Sequence, residues 1–169
     1  RYRNQIPVPK PITQAVMVCI MDVSASMGEK EKDISKRFFL LLHLFLKRKY
    51  KKIEVVFISH HSTAKEVDEK EFFHSTETGG TVVSTSLKLA NEIIKERYKL
   101  DDWNIYVAQA SDGDNAPGDE EDVNREMEQL LPTTQYFAYI EILNASYNAF
   151  GVVTAVWNVY KQLAASHSH

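Results

Sequence analysis

Three short stretches of this sequence carry oxygen-bearing side chains at spacings that can converge on one point. Asp22-Val23-Ser24-Ala25-Ser26 places a carboxylate and two hydroxyls at alternate positions. Thr78-Gly79-Gly80-Thr81 offers a further hydroxyl on a loop that two glycines allow to be tight. Ser111-Asp112-Gly113-Asp114-Asn115 offers a second carboxylate, that of Asp112. Hard oxygen donors without His or Cys select Mg2+, Ca2+ or Mn2+ over zinc or copper. Mg2+ takes six oxygens in near-octahedral geometry and readily keeps waters. Asp22, Ser24, Ser26, Thr81 and Asp112, some acting through water, would fill most of that shell. Many neutral ligands and few direct carboxylates would leave the ion electron-poor and ready to accept an anionic oxygen from a partner. Nothing nearby reads as a nucleophile with its base, so the chemistry points to binding and not to an enzyme. Taken alone, the first stretch reads also as a helix N-cap with incidental hydroxyls; the other two stretches are what favour a metal.

These side chains meet only if the surrounding elements bring them to one edge. Residues 15–21 and 53–59 are continuous apolar runs, the pattern of strands buried on both faces in a parallel sheet. Residues 104–111 and 135–142 read as further strands, and 63–68 as a short edge strand. Helical spacing covers 34–48, with apolar residues at 34, 38, 41, 42 and 45. That stripe is broad, so the helix is expected to be largely buried and 38–46 to be core. Leu87, Ala90, Ile94 and Tyr98 mark a second helix, opened by the polar stretch 84–86. Val123, Met127 and Leu130 mark a third, whose acidic first turn suits the helix dipole. A last helix over 152–163 is expected to bury Val153, Val156, Trp157 and Tyr160. The alternation predicts an α/β domain: a doubly wound, mostly parallel, Rossmann-like central sheet flanked by helices. One domain is expected over 14–169. Pro7, Pro9 and Pro11 make 1–13 an extended linker. Ligands of such open sheets bind beyond the carboxyl ends of the strands, which directs attention to Asp22 and Asp112.

Composition bounds the rest. The 169 residues, 44% hydrophobic and 25% charged, suit one globular domain and exclude wholesale disorder. Cys19 is the only cysteine, which excludes a disulfide scaffold and fits a reducing, cytoplasmic compartment. The longest strongly apolar run, 38–46, contains His43 and is far short of the ~20 residues a bilayer needs. The chain starts at Arg1 with no charged-then-apolar leader, so a fragment of a longer protein without a signal peptide is expected. The net charge is −3, and residues 112–128 hold eight acidic side chains against Arg125 alone. A nucleic-acid partner is therefore not expected. The acidic segment reads either as a solvated loop with an acidic first helical turn or as a screen beside the metal. In the second case it would repel acidic surfaces over about 8 Å and favour a carboxylate set among basic residues. It is no EF-hand, because Ala116, Pro117 and Val123 stand where that loop needs an acidic residue, glycine and glutamate. His60, His61 and His74 lack zinc spacing and read as structural or surface residues. The basic run 47–52 reads as a solvated helix C-terminus, with a phosphate or nucleic-acid patch as the alternative.

The three oxygen-bearing stretches, in this order and each at a strand end, resemble the metal-ion-dependent adhesion site of von Willebrand factor A domains over about 14–142. A narrower resemblance, to the bacterial YeaH/YhbH family of such domains, rests on longer runs. Among them are Ala64-Lys65-Glu66-Val67-Asp68-Glu69, Glu77-Thr78-Gly79-Gly80-Thr81 and Ala108-Gln109-Ala110-Ser111-Asp112-Gly113-Asp114-Asn115. The resemblance implies a cytoplasmic protein tied to stress or sporulation. It also implies a Mg2+ site completed by a partner's Asp or Glu. Partner candidates are the PrkA-like serine kinase and the SpoVR-like protein encoded beside family members. Ala25 departs from the pattern, since glycine is frequent there; a left-handed backbone at Ala25 would cost about 1 kcal/mol or more. A sixth strand, usual in the wider fold, is not evident. Two rival functions stand beside the binding module. A Mg2+-dependent phosphatase or phosphotransferase built on Asp22 would want Asp-x-Asp, but Ser24 holds the second place. Neither a Walker-type loop nor a Gly-x-Ser-x-Gly elbow occurs. The other rival is a structural domain with a vestigial site.

Overall fold

A computed structural model describes residues 12–74, 79–143 and 153–166. The strands are β1 (Gln14–Asp22), β2 (Lys52–His60), β3 (Ala64–Val67), β4 (Asn104–Ser111) and β5 (Tyr136–Glu141). They form one sheet in the order β3-β2-β1-β4-β5. β1 lies parallel to β2 and β4, β5 lies parallel to β4, and only the edge strand β3 is antiparallel. β1 is buried from Ala15 to Asp22, which is why its sequence is apolar without alternation. Its side chains divide between two cores: Val16, Val18 and Ile20 face one way, Ala15, Met17, Cys19 and Met21 the other.

Helices cover both faces, as a doubly wound α/β domain requires. Three of them, α3 (Val83–Arg97), α4 (Glu120–Leu130) and α5 (Ala155–Ser166), bury Leu87, Ile94, Met127, Leu130 and Val156 against the first face. The second face receives α1 (Glu29–Lys49) through Phe39 and Leu46, and the short α2 (Glu69–His74) through Phe72. From β1 the chain winds first to β2 on one side and later to β4 on the other. The strand order therefore reverses between β1 and β4, the crevice where such sheets bind ligands. Asp22 ends β1 at that crevice, and Asp112 directly follows β4.

One sequence expectation fails here and a second holds only in part. α1 is not largely buried: only Lys32, Ser35, Phe39 and Leu46 are, while Ile34, Leu40, Leu41, Leu44 and Phe45 stand exposed. Its apolar residues surround the helix, and a sheet can cover only one arc of it. In α5 the inward row is Val156, Val159, Tyr160 and Leu163, an i, i+3, i+4, i+7 set. Of the four residues expected inside, Val156 and Tyr160 are buried, whereas Trp157 and, just before the helix, Val153 face out.

α2 has no counterpart in the sequence reading, being too short for a helical period to show. It starts where Asp68 accepts a hydrogen bond from the Glu71 N–H at 2.8 Å, an N-cap arrangement. Ala25 carries no strain, since among the described residues only Gly113 and Gly118 have positive φ. Cys19 is buried in mid-strand, and burial pushes its thiol well above the usual range, so it is inert as expected. The linker expected over 1–13 lies outside the described residues except for Ile12 and Thr13. The stretch 144–152, where a sixth strand would fall, also lies outside them. Among the described residues no helix is long and apolar enough to cross a membrane.

Candidate metal centre

The turn after β1 is organised by the Asp22 carboxylate. Asp22 is fully buried. Its Oδ1 accepts the Ser24 N–H at 2.8 Å, which folds the loop back over the strand end. Its Oδ2 accepts the Ser111 hydroxyl at 3.1 Å, which ties β1 to β4 across the crevice. Each carboxylate oxygen keeps a free acceptor site. The folded turn brings the Ser24 and Ser26 hydroxyls to 3.1 Å of each other.

Thr81 arrives by backbone bonds. Its carbonyl accepts the Ala116 N–H at 2.8 Å, and Val82 N–H donates to the His61 carbonyl at 2.8 Å. These clamp the Gly79–Thr81 loop between β2 and the loop after β4. The acidic segment is more than a solvated loop. Asn115 accepts the Val83 N–H at 3.1 Å, and Asp119 accepts the Ser84 N–H at 3.0 Å together with the Ser84 hydroxyl. Both groups satisfy the N-terminus of α3, whose own N-cap, Val82, has no side-chain oxygen. Asp119 is nearly buried, so Asp119→Ala should cost about 2–3 kcal/mol, the range for a hydrogen-bonded charge. Urea unfolding measures this, and an unchanged midpoint would remove Asp119 from the role.

Gly113 is needed by geometry. Its φ is +91°, and a Cβ there would meet the Glu141 carboxylate at 2.5 Å and Thr154 at 2.6 Å. Thr154 donates to Glu141, and the Val156 N–H reaches the Gly113 carbonyl at 3.2 Å, so the start of α5 rests on this loop.

Of the five residues singled out from sequence, Ser24, Ser26 and Thr81 line one open cleft of about 510 Å3, with Asp114 and Asn115. Asp22 and Asp112 do not line it. Asp22 lies beneath the turn, and Asp112 accepts the Asp114 N–H at 3.1 Å. All three carboxylates are nevertheless close in charge. Partial desolvation, with the like charges of Asp112 and Asp22, holds the Asp114 carboxyl above the usual carboxylate range. Asp114 was quoted in the sequence motif and not picked as a ligand. Its signal was its place two residues after Asp112, where a tight Gly113 turn folds it back.

The donor set fits a hard cation. Neighbouring oxygens of an octahedral Mg2+ at about 2.1 Å stand about 3 Å apart, and the Ser24 and Ser26 hydroxyls are at 3.1 Å. Among the described ion pairs none includes Asp22, Asp112 or Asp114. Among the described residues no group of three or more His, Cys, Asp and Glu side chains forms a metal cage. It means a metal here must rest on hydroxyls as much as on carboxylates.

Fold and site define a Rossmann-like α/β domain with an oxygen-lined crevice at the carboxyl ends of its central strands. The chain belongs to the family described as "Protein of unknown function (DUF444)", which matches residues 1–169. It is similar to the UPF0229 protein of Legionella pneumophila (strain Corby), with 55% identity over 164 residues, covering 96% of this chain and 38% of that one. The UPF0229 proteins of Ectopseudomonas mendocina (strain ymp) and Vibrio vulnificus (strain CMCP6) are 56% and 53% identical, over 97% and 98% of this chain. This chain spans 38% of the length of these relatives.

Proposed function

We propose that this chain is a metal-dependent protein-binding module of the von Willebrand factor A type, and within it of the YeaH/YhbH-like group. Asp22, Ser24, Ser26, Thr81 and Asp112 would hold Mg2+, directly or through water, with Asp114 beside them; Mn2+ or Ca2+ would also suit these oxygens. The ion would supply an electron-poor centre for one carboxylate of a partner protein. Asp22 orients the loop, the two serines offer neutral oxygens, and the Thr81 loop closes the far wall. The observation that carries the reading is the hydroxyl pair of Ser24 and Ser26 in a turn shaped by the Asp22 carboxylate, lining one cleft with Thr81 and Asp114. A binding role is favoured over catalysis because the two serines contact each other, and the nearby His61 ring bonds Ser62.

The whole protein would then be a cytoplasmic bacterial regulator linked to stress or sporulation, with the PrkA-like kinase or the SpoVR-like protein as partner. Purified kinase and SpoVR-like protein, offered separately to the immobilised chain, test this. One of them should be retained in Mg2+, released by chelator, and not retained by Ser26→Ala. Retention indifferent to metal and to Ser26 would defeat the proposal. Metal-dependent hydrolysis of a generic phosphate ester, lost in Asp22→Ala, would put the phosphatase in its place.

A further inference from the structure

The outer arc of α1 is an exposed apolar surface that no other described element covers; Lys49 of the same helix lies 5.6 Å from the Phe45 ring centre. Leu41 is 68% exposed, Leu40 56%, Phe45 52%, Leu44 48% and Ile34 44%. At about 100° per residue, Ile34, Leu41 and Phe45 fall in one row and Leu40 and Leu44 in the next. The buried residues Ser35, Phe39 and Leu46 occupy the opposite arc. Single exposed leucines are ordinary on any protein, whereas five large apolar side chains on one face of one helix mark an interaction surface. Leu40 also borders an open cleft of about 410 Å3 between α1, α2 and the sheet, where Met17, Val55, Phe57 and Phe73 are among the apolar lining and Lys36, His43 and Glu69 the polar part. An outer ridge thus continues into a slot able to take an inserted apolar side chain.

The length of the relatives supplies the occupant. They carry this region in 38% of their chain, so more than half of the family protein lies outside it. We propose that α1's outer face and the adjoining cleft are the docking surface for the remainder of the same polypeptide. An apolar segment of it would seat on Ile34, Leu41 and Phe45. A tethered segment meets the surface at millimolar effective concentration, so a modest apolar face suffices without a second chain. The same assignment accounts for the breadth of the apolar stripe of α1, which reads as a largely buried helix. The proposal is independent of the metal reading.

Hydroxyl-radical footprinting of the full-length family protein tests it, because side-chain oxidation reports access directly. Leu41, Leu44 and Phe45 should oxidise several-fold more slowly than their exposure here dictates, near the level of Phe39 and Leu46 on the buried arc of the same helix. That protection should persist on dilution. In full-length Leu41→Asp, Leu44 and Phe45 should become reactive while Phe39 and Leu46 stay protected. Full reactivity of the outer residues in the unaltered protein would overturn the proposal. So would protection lost on dilution together with a fall from dimer to monomer, which would assign the face to a second copy. Continued protection of Leu44 and Phe45 in the Asp variant would overturn it too.

Discussion

Mg2+ at ten times its dissociation constant should raise the stability of this chain by about 1.4 kcal/mol, a shift of about 3–6 °C in melting temperature at this length, and Asp22→Asn should not respond. Asn is the informative replacement. It keeps the size of the side chain, and its oxygen can still accept the Ser24 N–H that shapes the turn. Its amide can donate to the Ser111 oxygen, so the tie between β1 and β4 survives with its direction reversed. What is lost is the negative charge. Metal-free Asp22→Asn should therefore be no less stable than metal-free wild type, because one of three mutually repelling carboxylates has gone. Thermal unfolding of both forms in chelator, Mg2+, Mn2+ and Ca2+ reads both expectations. Equal metal shifts in the two proteins would place the ion elsewhere. No shift in wild type at millimolar metal would favour a structural domain whose site is vestigial.

Phe72→Ala is expected to cost about 3–5 kcal/mol, the range for removing a buried aromatic side chain. Against a typical total of 5–15 kcal/mol, that is a large share of the domain's stability. Phe72 is fully buried, with ring centroids 4.8 Å from Phe57, 4.9 Å from Phe73 and 5.5 Å from Phe39. It joins α1, β2 and α2 in one aromatic cluster. α2 has six residues and is far too short to be stable on its own, so its place depends on this ring. Phe73→Ala should cost less, since Phe73 is only half buried at the rim, with the Lys36 ammonium 5.1 Å from its ring centre. Leu41→Ala in this chain should stay within about 0.5 kcal/mol, as an exposed position does. Urea midpoints of the three variants give the ranking, and equal losses for Phe72 and Phe73 would mean that α2 is not anchored as described.

The sheet was legible because its signal is local. Residues 15–21 and 53–59 are apolar at every position, and only a strand covered on both faces needs that. The edge strand at 63–68 and the acidic start of α4 were readable for similar reasons. So were the strand-end residues Asp22, Ser24 and Ser26, whose spacing in the chain already sets their spacing in space. The left-handed backbone considered for Ala25 was a local question as well, and the turn answers it without one.

What the sequence did not determine depended on neighbours distant in the chain. Helical spacing showed that α1 and α5 have apolar arcs, but not which arc meets the sheet. α5 is rotated so that Val159 and Leu163 face in while Trp157 faces out. α1 carries two apolar arcs and only one sheet face to cover them. α2 exists because Phe72 finds a pocket made by β2 and α1, not because six residues prefer a helix. Asn115 and Asp119 cap α3 from more than thirty residues away, and Asp114 joins Asp22 and Asp112 only once β1 and β4 lie side by side. Sequence alone set residue types and local periods; the tertiary structure decided rotation, capping and convergence, because those free energies come from contacts between segments that only folding brings together.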